Sequence, residues 1–307
     1  MSPAAPAAPG TPPGPDALRP RLPSPLDPAE DERFARHGVR LLLKRDDLIH
    51  PELPGNKWRK LTPNLRAAAE SGHTTLLTFG GAYSHHLRAT AAAGRLLGLS
   101  TIGVVRGDEL ADRPLNPSLE RCAADGMRLV FVDRAAYRRK TAPEFTAGLR
   151  ERFGAFHLVP EGGSNALAVH GCTDLGRELR GRADVVTVPC GTGGTLAGLA
   201  AGLAPDQRAL GFAVLKGGFL GAEVERLQRE AFGDRRGDWR VEHRFHCGGY
   251  AKVPPRLRAF AEDFSTRHGV ILESLYVAKM LYGLLSLTEE RAFRPGTAIA
   301  AVLTGTG

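Results

Sequence analysis

Cysteine is scarce in this chain. There are four, Cys122, Cys172, Cys190 and Cys247, and no two form a CxxC pair. That spacing argues against a disulfide framework and a structural zinc site, and it fits a reducing, cytoplasmic setting. No apolar run approaches about 18 residues, so no membrane span is expected. The N-terminus lacks an apolar core and does not read as a secretion signal. Aromatic residues make up only 7% of the chain and no basic block is interleaved with them. Nucleic acid is therefore not an expected partner, although the net charge is +8. The arginines are spread along the chain, so the charge reads as a basic surface suited to small anionic molecules. No Gly-Lys-Ser/Thr triplet and no internal repeat occur, which removes a Walker phosphate loop and a solenoid.

Residues 1–26 hold nine of the 22 prolines. That composition cannot bury a core and predicts a disordered tail. From Val39 the text changes to short apolar runs alternating with helical periodicity. Strands are expected at 39–44, 74–79, 100–105, 127–132 and 156–159, with helices near 117–125 and 141–153 among them. A second series follows, with helix 165–179, strand 184–190, helix 196–203, strand 209–215, helix 221–231, strand 270–273, helix 277–292 and strand 297–303. The alternation predicts an α/β fold of two lobes, three-layered α/β/α, with mostly parallel sheets and a cleft at the strand C-terminal ends.

Several loops at those strand ends carry chemistry. Gly191-Thr192-Gly193-Gly194-Thr195 joins a buried strand to a helix. Its backbone N–H groups, hydroxyls and helix pole suit a phosphate, or form a plain tight turn. The acidic residue about 20 positions on, which a dinucleotide fold requires, is missing. Gly80-Gly81-Ala82-Tyr83-Ser84-His85-His86 repeats the strand–loop–helix logic, with Ser84 as a natural N-cap and the loop suited to a substrate carboxylate. His85 and His86 diverge by about 100° on a helix and lack i, i+4 spacing, so no metal site is expected; either could touch a ligand. Pro160-Glu161-Gly162-Gly163-Ser164-Asn165 offers a cap at Ser164 or Asn165. Tyr250 and Tyr276 stand in strand-end loops, open to packing or to acid–base roles.

Lys57 follows the turn Pro54-Gly55-Asn56 and opens a helical run through Leu61, Leu65, Ala68 and Ala69. The positive pole of a helix N-terminus disfavours ammonium and lowers its pKa. A lysine that is neutral near pH 7 is a nucleophile for aldehydes and a base for carbon acids.

Together these elements resemble the pyridoxal-phosphate enzymes of the tryptophan-synthase-β type (fold type II), and within them the 1-aminocyclopropane-1-carboxylate deaminase and D-cysteine desulfhydrase family. The resemblance runs from Leu41 to Gly307. It rests on Lys44-Arg-Asp-Asp-Leu48, Gly55-Asn-Lys-Trp-Arg-Lys-Leu61, Gly80-Gly-Ala-Tyr-Ser84, Pro160-Glu-Gly-Gly-Ser-Asn165, Gly191-Thr-Gly-Gly-Thr195, Gly248-Gly-Tyr250, Tyr276 and Thr304-Gly305. It implies pyridoxal 5'-phosphate as cofactor, a small amino acid as substrate and a homodimer. Lys57 then holds the cofactor as a Schiff base and moves protons, with Asn56 and His85 beside it. Gly191, Thr192, Gly193, Gly194 and Thr195 bind the phosphate, and Thr304 meets the pyridine nitrogen. Ser84, Tyr250 and Tyr276 are catalytic groups, and Ser84, His85, His86, Glu161 and Tyr250 contact substrate. The implied arrangement is a large domain of 27–61 and 161–307 with a small domain, 62–160, inserted.

Two positions depart from the family pattern. The residue after the active-site serine is usually asparagine, contacting the cofactor's phenolic oxygen; here it is His85. The deaminase branch places glutamate directly after the second tyrosine, to keep the ring nitrogen protonated; here it is Val277. A hydroxyl at Thr304 cannot favour that protonation as a carboxylate does. The resemblance therefore implies desulfhydrase-like α,β-elimination. Ring opening, β-replacement and a catalytically lapsed cofactor binder remain as alternatives.

Overall fold

The computed structural model describes residues 18–305. The chain enters through β1 (Leu26–Ala29), the short α1 (Glu32–Ala35), β2 (Arg40–Lys44) and α2 (Asn56–Glu70). It continues through β3 (Thr75–Gly80), α3 (His85–Leu97), β4 (Ser100–Arg106), α4 (Pro117–Ala124), β5 (Met127–Val132), α5 (Arg134–Arg138), α6 (Pro143–Phe153) and β6 (His157–Val159). It ends with α7 (Ala166–Glu178), β7 (Val185–Cys190), α8 (Gly194–Gly202), β8 (Arg208–Ala213), α9 (Leu220–Phe232), β9 (Asp238–Glu242), α10 (Pro255–His268), α11 (Val277–Glu289) and β10 (Ala298–Val302).

Two sheets result. The six-stranded sheet has the order β1-β2-β10-β7-β8-β9, and the four-stranded sheet β5-β4-β3-β6. Every pairing is parallel except β1 with β2. Parallel strands are covered on both faces and so read as continuous apolar runs. β10 shows this: Ile299 and Ala301 pack into the core on one face, and Ala298, Ala300 and Val302 into the core on the other. In the smaller sheet Leu76 and Leu77 divide between two cores in the same way.

The helix that carries Lys57 is anchored unusually firmly. The guanidinium of Arg59, fully buried in α2, donates to Asp46 at 2.8 and 2.9 Å and to Glu178 of α7 at 2.9 Å. Lys44 at the end of β2 donates to the same Glu178 at 2.6 Å. The charges are paired and saturated with hydrogen bonds, the condition under which buried ions hold geometry instead of opening it. Small residues bring the helices close. A β-carbon on Gly171 of α7 would overlap the carbonyl of Arg59, and one on Gly198 of α8 the carbonyl of Val169. Thus α2, α7 and α8 form one slab beneath the site.

Three expectations are corrected. Residues 270–273 form no strand: Val270 and Leu272 are buried while Ile271 is 79% exposed. That alternation mimics a strand, but no ladder pairs the segment. Next, α10 was not foreseen, although Pro255 and the spacing of Leu257, Phe260, Ala261 and Phe264 signal it. The third concerns the N-terminal tail. The part through residue 17 lies outside the described residues. The part from residue 18 is packed: Trp58 Nε1 donates to the Leu18 carbonyl at 2.9 Å and Ser24 Oγ to Asp46 at 2.7 Å. The last two residues, Thr306 and Gly307, also lie outside.

Candidate active site

The loops that follow β2, β3, β6, β7 and β10 converge on one cavity of about 570 Å³. All leave the C-terminal ends of parallel strands, where backbone donors and helix N-termini gather. The cavity is lined by Asn56, Lys57, Ser84, His85, His86, Glu161, Gly191, Thr192, Gly193, Thr195, Tyr250, Tyr276 and Thr304. These residues come from segments as far apart as 56 and 304, and the fold brings them together.

Lys57 sits in the first turn of α2, after Gly55. Its Nζ donates to Asn56 Oδ1 at 2.8 Å, and Asn56 Nδ2 donates to Thr195 Oγ1 at 2.8 Å. Asn56 thus ties the amine to the start of α8. Burial, and then the neighbouring Lys60 cation, draw the Lys57 amine down to about 7. Sequence reasoning credited the helix pole; burial is the larger cause. In the cofactor-free protein the rate of Lys57 acylation, read by peptide mass spectrometry, is expected to reach half its plateau near pH 7, because only the neutral amine reacts. Surface lysines keep rising to about pH 10. A Lys57 profile that follows the surface lysines contradicts the depressed value.

The 191–195 loop is built as an anion cradle. Gly193 takes φ +79, and α8 begins with no side chain capping its N-terminal N–H groups. Those donors, the helix pole and the Thr192 and Thr195 hydroxyls face the cavity. Sequence reasoning missed the cation that completes the cradle. Lys60 stands one turn after Lys57, on the same helix face, which is the signal that could have found it. Its Nζ donates to Ser164 Oγ at 2.9 Å and the Gly162 carbonyl at 3.1 Å, and lies 3.2 Å from where a Gly194 β-carbon would sit. Ser164 also shares a hydrogen bond with Thr192 at 2.6 Å. It is free to do so because Asn165 is the cap of α7. Lys60, the hydroxyls of this linked Ser164–Thr192 pair and of Thr195, and the uncapped amides of α8 gather donors and positive potential in one place, and a phosphate monoester fits them.

Opposite stands the 80–84 loop. Ser84 Oγ accepts from Leu87 N at 3.3 Å as the N-cap of α3, and Ser84 lines the cavity. His85 and His86 diverge. His86 is buried against Thr78, Nε2 to Oγ1 2.8 Å, and lines the cavity. His85 lies against Tyr276, ring centroids 5.6 Å apart, and 4.0 Å from Glu273. Burial, then the Lys57 and Arg88 charges, push its imidazolium down to about 3, so the ring is neutral and offers one N–H. Its approach to Glu273 is consequently not an ion pair.

Glu273 is the second residue missed, hidden in the segment expected as a strand. Its oxygens accept from the amides of Leu275 and Tyr276 at 2.7 Å and so set the turn that presents Tyr276. Burial raises its carboxyl although those amides favour the ionised form. Tyr276 and Tyr250 stack edge-on at 6.0 Å. Burial raises both phenols, that of Tyr276 well above the ordinary range, so both remain proton donors at neutral pH. Tyr250 Oη also donates to the Tyr83 carbonyl at 3.3 Å, bridging the two lobes. Glu161 stands at the rim, held by Tyr137 and Lys140. Among the described residues no group of three or more His, Cys, Asp or Glu is placed to hold a metal ion.

Comparison with known proteins agrees with this chemistry. Residues 20–305 match the family described as pyridoxal-phosphate dependent enzymes. The chain is 29% identical to the mitochondrial bifunctional D-cysteine desulfhydrase/1-aminocyclopropane-1-carboxylate deaminase of Arabidopsis thaliana, covering 88% of this chain and 73% of that protein. It is 26% identical to a D-cysteine desulfhydrase of Klebsiella pneumoniae, covering 89% of each. A crystal structure of an ACC deaminase homologue superposes with a TM-score of 0.79 at 27% identity, over 94% of each chain. A cradle for a phosphate monoester beside an amine poised near neutrality is what such enzymes require of their cofactor site, and this chain belongs to them: it is a pyridoxal-phosphate dependent enzyme of fold type II, in the family of 1-aminocyclopropane-1-carboxylate deaminases and D-cysteine desulfhydrases.

Proposed function

We propose that the enzyme performs α,β-elimination on a small amino acid. In balance, X–CH2–CH(NH3+)–COO− and water give pyruvate, ammonium and HX. Pyridoxal phosphate, when bound, supplies the carbonyl that takes the substrate amine and the ring that withdraws electrons from Cα. The chain does the rest. Lys60, Thr192, Thr195 and the α8 amides hold the phosphate. The α3 N-terminus and Ser84 receive the substrate carboxylate. Lys57 Nζ, neutral above about pH 7, accepts the Cα proton. The phenol protons of Tyr250 and Tyr276 serve the departing β-substituent.

One observation favours elimination over ring opening. Val277 is 1% exposed and packs in the core of the larger lobe, so no carboxylate follows Tyr276 toward the cofactor. Glu273 lines the cavity from the turn before Tyr276, with its two oxygens accepting from the amides of Leu275 and Tyr276. Thr304 lines the cavity with a hydroxyl. A ring nitrogen without an acidic partner is a weaker electron sink. That suffices to remove a Cα proton and expel thiolate, and it handicaps the opening of a cyclopropane that has no Cα proton.

The test uses the holoenzyme with D-cysteine, L-cysteine, D-serine and 1-aminocyclopropane-1-carboxylate, assayed for 2-oxo acid and ammonia. Equimolar pyruvate and ammonia are expected from one cysteine enantiomer, with the cyclopropane at least about 100-fold slower. 2-Oxobutyrate formed from the cyclopropane at a comparable rate overturns the reading. Loss of pyruvate to a thioether product when a second thiol is added identifies replacement instead.

A further inference from the structure

One wall of the cavity carries charge that this chemistry does not use. Arg106 is the last residue of β4 and lines the cavity. Its guanidinium packs over the Tyr137 ring, 5.7 Å from the centroid. Its Nη2 lies 3.5 Å from where a Gly81 β-carbon would sit, so the group overhangs the loop that opens α3. Among the described residues no carboxylate pairs with it. Lys140 occupies the same wall, its Nζ 4.8 Å from the centroid of the same ring and 3.1 Å from Glu161 Oε2. Tyr137 is buried, and its hydroxyl donates to Glu161 Oε1 at 2.8 Å.

The charges can be summed. Arg106 and Lys140 contribute two positive charges and Glu161 one negative, leaving one cation without a counter-charge in a concave wall. The substrate's α-carboxylate does not need it, since the Ser84 hydroxyl and the α3 N-terminus already provide for that group. A cation lining a cleft is stabilised most by an anion that enters the cleft, and a guanidinium offers planar paired donors for a carboxylate, sulfonate or phosphate. Arg106 is exposed to solvent, and the buried Tyr137 ring supports both cations on one side.

We propose that Arg106, seconded by Lys140, is a specificity determinant that receives a second negative group on the substrate side chain. The enzyme accordingly prefers amino acids with an anionic side chain over neutral ones of the same size. This rests on reading the cavity as an amino-acid site, as above, but not on elimination being the outcome.

The test is a titration of the holoenzyme with aspartate and with its neutral isostere asparagine, in both enantiomers. Binding is followed by the cofactor's visible band and by calorimetry. In the wild type the accepted enantiomer of aspartate is expected to bind about ten-fold more tightly than asparagine, the size of one charge-assisted hydrogen bond, and the ratio narrows as salt rises. In Arg106→Gln the ratio falls to within about two-fold of unity, while Arg106→Lys, which keeps the charge and loses the fork, retains part of it. A wild type without preference, or a preference that survives Arg106→Gln, overturns the proposal. So does an equal weakening of both ligands, which assigns Arg106 to the α-carboxylate or the scaffold. If no amino acid yields a 2-oxo acid yet the aspartate preference follows Arg106, the elimination reading falls and this one stands.

Discussion

Replacing Lys57 with alanine is expected to lower turnover by about 10³-fold or more while the protein still folds and still takes up its cofactor. The two halves of that outcome come from separate parts of the site. The Lys57 amine lines the cavity wall and is drawn down to about 7 by burial and the neighbouring Lys60. Lys60, although its ammonium is also destabilised by burial, is held against Ser164 and the Gly162 carbonyl, in the cradle proposed for the phosphate. Removing Lys57 therefore removes covalent attachment and proton transfer but leaves the cradle. Borohydride reduction followed by peptide mass spectrometry reads the first half: the wild type yields a pyridoxyl adduct on the peptide containing Lys57, and the variant none. Equilibrium dialysis with pyridoxal phosphate reads the second. An adduct on another lysine in the wild type, or full turnover in the variant, would reassign the nucleophile.

Gly55→Ala is expected to destabilise the protein by about 2–4 kcal/mol, read from the denaturant midpoint, and to weaken cofactor retention with it. Gly55 holds φ +66 and ψ −144, a region that side-chain-bearing residues do not adopt without strain. A β-carbon there would also overlap the carbonyl of Thr304 and lie 2.8 Å from Gly305 N. The contact joins the turn before Lys57 to the loop after β10. Relieving the clash must separate two walls of the cavity. Gly72→Ala serves as the control, since it has φ +69 but nothing within 4 Å of the added carbon. It carries the backbone strain alone, about 1 kcal/mol. If the two variants lose equal stability, the close approach of Gly55 and Thr304 contributes nothing.

The loops that line the candidate site are legible in the sequence. A glycine-rich loop between an apolar strand and a helix is a local signal, because the strand, the turn and the cap all lie within about a dozen residues. That is why 191–195 and 80–84 could be read as donor loops, and why Ser84 could be read as a cap. Lys57 could be picked out because a turn and a helix start adjoin it. Segment 270–273 misled for the converse reason. Its alternating burial is real, but a strand exists only where a neighbour pairs with it, and the hydrogen bonds here go to Glu273 and a turn instead.

By itself the sequence determined the α/β alternation, the strand-end loops and the residues they carry, since these follow from periodicity and turn chemistry along the chain. The tertiary structure alone decided how those residues behave. The reduced basicity of Lys57 comes from burial and from Lys60. The neutrality of His85 comes from burial first and then from the Lys57 and Arg88 charges. The Arg106 charge stands without a carboxylate because Glu161 is taken by Tyr137 and Lys140. Each of these is a property of what surrounds a side chain in space, where desolvation and Coulomb terms act over a few ångströms regardless of distance along the chain.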